Sequence, residues 1–147
     1  VFSVTYKRDG DKKDTLLNIE QTKEFVVNSV NSSITEKAHL CSADYPHGVD
    51  EMTKVGLTPV ESKKVTPPRL KEAFVQMECQ LYDLFRIGKG GGASTLVVGE
   101  IVYMHVNSAI LANNQIDLAS YHPVARLGGK GYSEIGKIFE LERPQML

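Results

Sequence analysis

The sequence predicts a mainly β fold, an antiparallel barrel with short helices in the connections. Two long segments carry this prediction. Residues 74–85 alternate between apolar and polar side chains, and residues 95–106 form the longest apolar stretch of the chain. A period of two is typical of strands buried on one face. Because strands and helices do not alternate regularly, the pattern argues against a doubly wound parallel sheet.

Length and composition narrow the class of protein. We predict one domain over residues 1–147, since this length suits a single core. The formal net charge is −1 and both signs are mixed along the chain, so the sequence shows no basic segment typical of binding to nucleic acid or an anionic membrane. Cys41 and Cys79 lie far apart and no Cys/His cluster has zinc-ligand spacing. We therefore predict free thiols, no metal site and a reducing, cytoplasmic location.

The first elements are a strand over residues 1–6 and a helix that begins at Lys13, Asp14 and Thr15. Free backbone N–H groups and the positive end of the helix dipole make such a corner a natural anion site. Thr15 adds a hydroxyl donor, and Lys12 or Lys13 adds a cation. The alternative is that Asp14 or Thr15 is an ordinary N-cap and the lysines are solvated.

A buried strand is predicted next, over the β-branched run 25–30. Ser33 and Glu36 then have capping-box spacing, which predicts a helix from about residue 33 to 43 with Leu40 and Cys41 on its inner face.

A second short helix is predicted to begin near Asp50 and to end at Gly56. The prolines that follow, at 59, 67 and 68, predict an irregular polar connection in which Lys63 and Lys64 are solvated.

The two long strands are predicted to pair as a hairpin. In the first, one face is predicted to be inner and the other outer, the inner set being Val75, Met77, Cys79 and Leu81 and the outer set Gln76, Glu78, Gln80 and Tyr82. The glycines at 88–92 lack the Lys-Ser/Thr ending of a phosphate-binding loop and predict a hairpin tip. Gly99 predicts a bulge or bend.

The last third of the chain is predicted to hold small elements. Asn113 and Asn114 predict a turn, residues 117–121 a single turn of helix, and residues 138–141 a last short strand.

Several stretches stand in an order and spacing that covers almost the whole chain: 13–19, 24–28, 42–46 with 48–51, 56–59, 78–79, 98–102, and 124–129 with Tyr132. In this arrangement the chain resembles the flavin reductase-like, FMN-binding split-barrel family, particularly its flavoredoxin branch. The resemblance implies an antiparallel split β-barrel and a homodimer with FMN bound non-covalently near the subunit interface.

The resemblance also implies which residues meet the cofactor. Lys13 and Thr15 would contact the FMN phosphate, with Asp14 shaping the turn. A second group approaches the flavin later in the chain, namely Arg126, Gly128 and Tyr132. The alternative for that group is that residues 128–131 are only a turn and Arg126 is exposed. His105 and His122 are further candidates beside the ring, with structural roles as the alternative.

By this resemblance the chain is an oxidoreductase that passes electrons from a reduced nicotinamide cofactor or a redox protein through FMN, with no catalytic acid or base identified. Two alternatives remain: a non-enzymatic flavin-binding electron carrier, and a flavin-free dimeric interaction module.

The start of the chain departs from the resemblance. Val1 lies inside a predicted strand without a preceding methionine. Members of the family normally begin with further strands that supply other phosphate and ring contacts. We therefore expect that an upstream portion is missing, or that the chain is a partial domain with an incomplete flavin site.

Overall fold

A computed structural model describes residues 1–145 of the chain, and its largest element is a four-stranded antiparallel sheet. The strands among these residues are β1 (Phe2–Thr5), β2 (Glu24–Asn28), β3 (Pro59–Val60), β4 (Arg69–Leu70), β5 (Val75–Ile87), β6 (Ser94–Val106), β7 (Leu111–Ala112), β8 (Gln115–Ile116), β9 (Val124–Arg126) and β10 (Tyr132–Glu134). The α-helices are α1 (Asp14–Thr22), α2 (Thr35–Leu40), α3 (Glu51–Lys54) and α4 (Leu118–Tyr121). The main sheet has the order β1-β6-β5-β2, and β3–β4, β7–β8 and β9–β10 are separate two-stranded pairs.

The main sheet is strongly curled. Phe2 of β1 and Phe25 of β2 belong to opposite edges of the sheet, yet their rings pack edge to face with centroids 5.4 Å apart. Register shifts in the β5–β6 hairpin accompany this curl, since bulges increase local twist. Gly99 lies at one of them, and a Cβ atom there would overlap the Phe25 ring. The predicted bend at Gly99 is therefore confirmed, and the sheet forms an antiparallel half-barrel.

The main core fills the inside of the half-barrel, and α1 contributes to it through two fully buried side chains, Leu16 and Ile19. The other buried members come from β1, β2, β5, β6 and adjoining turns: Val4, Tyr6, Phe25, Cys79, Ala93 and Val97. A smaller core lies under the segments around α2 and α3 and contains Ile34, Leu57, Leu70 and Ala73. The main core holds α1 in place, and the smaller core contains Ile34, the residue directly before α2. Each of the two clefts described below is bordered by one of these helices.

The helix predicted from Ser33 exists, but its details were wrong. Asn31, not Ser33, caps a 3₁₀ turn over Ser32–Ile34 by accepting the Ser33 N–H at 3.1 Å, and α2 follows directly. Asn31 is buried, and its amide also donates to the Glu72 carbonyl, so one side chain joins two segments. Leu40 is 53% exposed and does not face the core.

The predicted alternation of β5 was also wrong at two positions, because Gln76 and Glu78 are buried rather than outward. The connection between β3 and β4 folds over the face that the pattern assigned to solvent. Backbone N–H groups of Lys63 and Lys64 donate to the Glu78 carboxylate over this face.

In the last third, the turn predicted at Asn113 and Asn114 and the single turn of helix predicted over residues 117–121 are both confirmed. Asn113 and Asn114 have φ angles of 51° and 60° and close the β7–β8 hairpin, which is typical of Asn in tight hairpin turns. The strand predicted over residues 138–141 was wrong. Phe139 and Leu141 are exposed, and among residues 1–145 no strand pairs with this segment.

Within the described part of the chain, none of the helices combines the length and apolarity required to cross a bilayer. Cys41 and Cys79 are free thiols, as predicted.

Candidate functional site

The first candidate region is the start of α1. Lys13 is the N-cap, with extended backbone geometry, and no side chain within residues 1–145 caps the helix there. The carbonyl of Lys13 accepts the N–H groups of Leu16 and Leu17. Neither Asp14 nor Thr15 is the N-cap, so the helix start is not closed by either of the residues that sequence alone offered for that role. The first N–H groups of the helix, those of Asp14 and Thr15, therefore have no side-chain cap among the described residues.

The lysines near this helix start are not equivalent. Lys12 is held by Glu20, with Nζ 2.7 Å from the carboxylate. Asp14 lies 3.8 Å from Lys7 Nζ and 3.0 Å from His47 Nδ1. Among the described residues, Lys7 and Lys12 each form an ion pair, whereas none of the ion pairs includes Lys13. The Lys13 ammonium is therefore the most available of the three for a ligand.

A polar cleft of 160 Å³ opens at this helix start, and we call it the corner cleft. It is lined by Lys7, Lys13, Asp14, Thr15, Cys41, Ser42, Ala43, Asp44, Tyr45 and Glu51. Partial burial raises the pKa of the Glu51 carboxyl, the carboxylates of Asp14 and Asp50 raise it further, and Lys13 opposes them. An anion in the corner cleft would therefore depend on the helix N–H groups and the two lysines to offset nearby negative charge.

A second cleft, of 270 Å³, lies between α2 and the β9–β10 hairpin, and we call it the hairpin cleft. Its lining is more apolar and consists of Val30, Thr35, Ala38, His39, Ser42, Val124, Arg126 and Tyr132. The Arg126 guanidinium stacks over the Tyr132 ring at 4.7 Å from its centroid. Arg126 also donates to the Gly129 carbonyl, at 2.6 Å, which fixes its direction across the hairpin.

Lys13 and Thr15 line the corner cleft, and Arg126 and Tyr132 line the hairpin cleft. Arg126 is exposed, as the alternative for the later group expected. Asp14 borders the corner cleft as the acceptor for Lys7 and His47. Gly128 lies in the turn of the β9–β10 hairpin, borders neither cleft and has no neighbour within contact distance of an added Cβ.

The two clefts are neighbours, because Ser42, just after α2, lines both. The corner cleft also adjoins a larger apolar groove of 740 Å³ beside β2, which Thr15 and Glu51 border as well. Sequence reasoning gave no role to Ser42, although it lies in one of the stretches that carry the resemblance. No local signal in the sequence pairs His39 with Tyr132.

The two other candidate histidines lie elsewhere. His105 Nε2 is 2.6 Å from the buried Glu78 carboxylate, and His122 ends α4 in a left-handed conformation, its carbonyl accepting the Ser32 N–H. Neither lines the corner or the hairpin cleft. These positions fit the structural alternative for both residues.

Glu78 is the most strongly perturbed carboxyl group with a resolved shift. Its side chain is fully buried, and burial alone would raise its pKa. The N–H groups of Lys63 and Lys64 and the ring of His105 outweigh that effect and lower the pKa to about 2. Because Glu78 lies outside both clefts, we assign it to holding the β3–β4 connection against the sheet.

The fold and the clefts together define a class of protein, a half-barrel with a polar cleft at a helix start beside a cleft that Arg126 and Tyr132 line. The sequence profile of the flavin reductase like domain matches residues 2–122. The chain belongs to the flavin reductase-like domain family, and the split-barrel fold expected from the sequence is confirmed.

Relatives and solved structures agree with this assignment. An uncharacterized protein of Aquifex aeolicus (strain VF5) is 39% identical over 133 residues, which is 90% of this chain and 66% of that protein. The crystal structure of nitrilotriacetate monooxygenase component B from Bacillus cereus matches with a TM-score of 0.88 and 32% identity, over 95% of this chain and 69% of that one. The chain thus spans about two thirds of the length of these relatives.

Two further structures bear on the branch of the family. The 2-nitrobenzoate 2-nitroreductase NbaA of Pseudomonas fluorescens matches with a TM-score of 0.80 and 31% identity, over 91% of this chain and 66% of that one. Flavoredoxin of Desulfovibrio vulgaris (Miyazaki F) matches with a TM-score of 0.76 but only 18% identity, over 94% of this chain and 71% of that one. This last likeness shows a shared fold and does not assign the chain to the flavoredoxin branch.

Proposed function

We propose that the chain binds FMN and acts as an oxidoreductase, taking electrons from a reduced nicotinamide cofactor or a protein donor. The observation that carries this proposal is the uncapped start of α1, with Lys13 and Thr15 at a polar cleft, in a chain of the flavin reductase-like family. Backbone N–H groups, a hydroxyl and a cation together suit a phosphate monoester. The names of two structural neighbours, a monooxygenase component and a nitroreductase, support redox chemistry.

The proposal assigns the flavin ring to the hairpin cleft, next to the phosphate site. Arg126 and Tyr132 present a cation, a hydroxyl and an aromatic face there, and these suit a flat heterocycle with carbonyl groups on its edge. Bound FMN would supply the electron-transfer chemistry, and the residues of this chain would bind and orient it. Gly128 does not border the cleft, so we propose no contact for it.

Titration of the apoprotein with FMN, followed by anaerobic mixing with NADH or NADPH in a stopped-flow spectrophotometer, tests this function. We expect saturable quenching of flavin fluorescence at one FMN per chain, and bleaching of the bound flavin by one of the two nicotinamides. Binding without bleaching by either nicotinamide would favour the electron carrier. Failure to bind FMN would favour the flavin-free interaction module and would contradict the proposal.

We also propose that two copies of the chain associate through the β5–β6 hairpin. Large apolar side chains are exposed along this hairpin, among them Tyr82 (77%), Ile101 (49%) and Met104 (48%). An apolar surface of this kind on the central hairpin of a sheet favours a partner surface of the same kind, as in a twofold dimer.

Sedimentation velocity at micromolar concentration should therefore give a dimer. Replacing Ile101 and Met104 together by lysine should shift the protein to a monomer, because two charges would be buried at the contact. Leu141→Lys is the control, since Leu141 is exposed and belongs to neither strand of the hairpin. A wild-type monomer under these conditions would contradict the proposed interface.

A further inference from the structure

One hydrogen-bonded pair in the hairpin cleft joins two distant parts of the chain. His39 lies on α2 and Tyr132 on β10, and His39 Nδ1 is 2.9 Å from the Tyr132 hydroxyl oxygen. The two rings are nearly perpendicular, at 87°, with centroids 5.9 Å apart. Both side chains border the hairpin cleft, and the Arg126 guanidinium lies over the Tyr132 ring, 4.7 Å from its centroid.

The direction of this hydrogen bond determines what Tyr132 offers to a ligand. A neutral imidazole whose Nδ1 carries no proton accepts the phenol O–H, and then only the lone pairs of the Tyr132 oxygen face the cleft. A protonated imidazole donates from Nδ1 to the phenol oxygen. The phenol O–H is then free to donate to another acceptor.

We propose that His39 is a positioning residue of the hairpin cleft, and that its protonation turns the Tyr132 hydroxyl from an acceptor into a donor toward the ligand. This inference rests on the proposed function, because the ligand it concerns is the carbonyl edge of a flavin ring. Histidine is suited to this reversal because its Nδ1 accepts a hydrogen bond when it carries no proton and donates one when it is protonated.

Among residues 1–145, the clefts beside His39 are lined by few other charged groups. On its own helix, Thr35 contributes a neutral hydroxyl and Glu36 borders an adjoining cleft, as does Glu134 from β10. Arg126 is the one charged neighbour lining the hairpin cleft among the described residues, and it can only donate. Tyr132 is therefore the group in this cleft whose hydrogen-bonding character His39 can reverse.

Nuclear magnetic resonance of the apoprotein tests the reversal without any flavin. Two-bond ¹H–¹⁵N correlation spectra report which imidazole nitrogen carries a proton. At pH 8 we expect the Nδ1 of His39 to be unprotonated, and at pH 5.5 we expect both nitrogens to be protonated. Tyr132→Phe should remove the preference for that neutral tautomer. A protonated Nδ1 at pH 8, or a tautomer that Tyr132→Phe leaves unchanged, would overturn the proposal.

Riboflavin binding measures the consequence for a ligand. Riboflavin is used because the FMN phosphate itself changes charge near pH 6 and because His47 lies at the phosphate end of the site. One added hydrogen bond should make riboflavin bind roughly three- to tenfold more tightly at pH 5.5 than at pH 8. Equal affinity at the two pH values in the wild-type protein would overturn the proposed consequence.

Three variants separate positioning from packing. His39→Asn keeps an amide near the place of Nδ1 but cannot change charge, so riboflavin should bind with little pH dependence. Tyr132→Phe should also give a flat profile, whereas His122→Gln, outside both clefts, should retain the wild-type profile. Retention of the full pH dependence by His39→Asn would overturn the proposal. If no flavin binds at all, the proposed function fails, while the resonance experiment still decides the His39–Tyr132 pair.

Discussion

Replacing Lys13 and Thr15 together by alanine is expected to weaken FMN binding by roughly two orders of magnitude or more. Each residue would lose one charge-assisted hydrogen bond to the phosphate, and such a bond contributes roughly 1.5–3 kcal/mol. Isothermal titration calorimetry of the apoprotein with FMN measures the loss. Both side chains are exposed at the start of α1, so the fold should be unaffected.

Riboflavin supplies the matched ligand for this experiment, because it has the same ring and lacks the phosphate. Its affinity should be nearly unchanged in the double variant. Lys12→Ala is the matched protein control, since Lys12 is one residue away and its ammonium is held by Glu20. Equal losses for FMN and riboflavin would rule out the phosphate assignment. A loss of FMN affinity for Lys12→Ala as large as that for the double variant would show only a general effect of charge.

The corner cleft could be predicted from the sequence because its main determinants are local. A strand followed by a helix start at Lys13, Asp14 and Thr15 defines the direction of the N–H groups within a few residues. What the sequence could not give is the division of labour between the lysines. Glu20, eight residues along the chain, pairs with Lys12, and His47, on a separate loop, contacts Asp14. Neither contact can be predicted from the local sequence.

The residues of the hairpin cleft could be predicted only through the family resemblance. Arg126 and Tyr132 are ordinary residues of a short hairpin, and nothing in their spacing shows that α2 packs beside them. The contact of His39 with Tyr132 joins residues 93 positions apart. A single histidine on a short helix gives no sign in the sequence of such a contact. For that reason His39 was not among the predicted site residues.

The errors in the fold have the same origin. Alternation predicted β5 correctly as a strand, but it assumed water on the second face, where the β3–β4 connection actually lies over Gln76 and Glu78. Local apolar character also predicted a strand at residues 138–141. A strand needs a partner to satisfy its backbone groups, and the main sheet does not extend to this segment.

Glu78→Gln should produce the largest loss of stability of any single substitution considered for this protein. Glu78 is fully buried and accepts N–H groups from Lys63 and Lys64 at 2.6–3.0 Å, while His105 Nε2 lies 2.6 Å away. Its pKa falls from 4.5 to about 2 in the folded state, which corresponds to about 3 kcal/mol. A neutral amide would lose these charge-assisted hydrogen bonds, and its NH₂ group would face the N–H donors of Lys63 and Lys64.

The sign of the pH dependence follows from the direction of this shift. A carboxyl group with a lowered pKa in the folded state stabilises the fold fully above its unfolded value of 4.5, and this contribution is lost as the pH falls toward 2. Urea unfolding at pH 7 should therefore show the variant about 3 kcal/mol less stable than the wild type, and the gap should narrow progressively between pH 4.5 and 2. Glu100→Gln is the matched control, because Glu100 is exposed on the neighbouring strand β6. A gap between wild type and Glu78→Gln that is absent at pH 7, or that stays constant down to pH 2, would show that the buried carboxylate does not hold the β3–β4 connection through its charge.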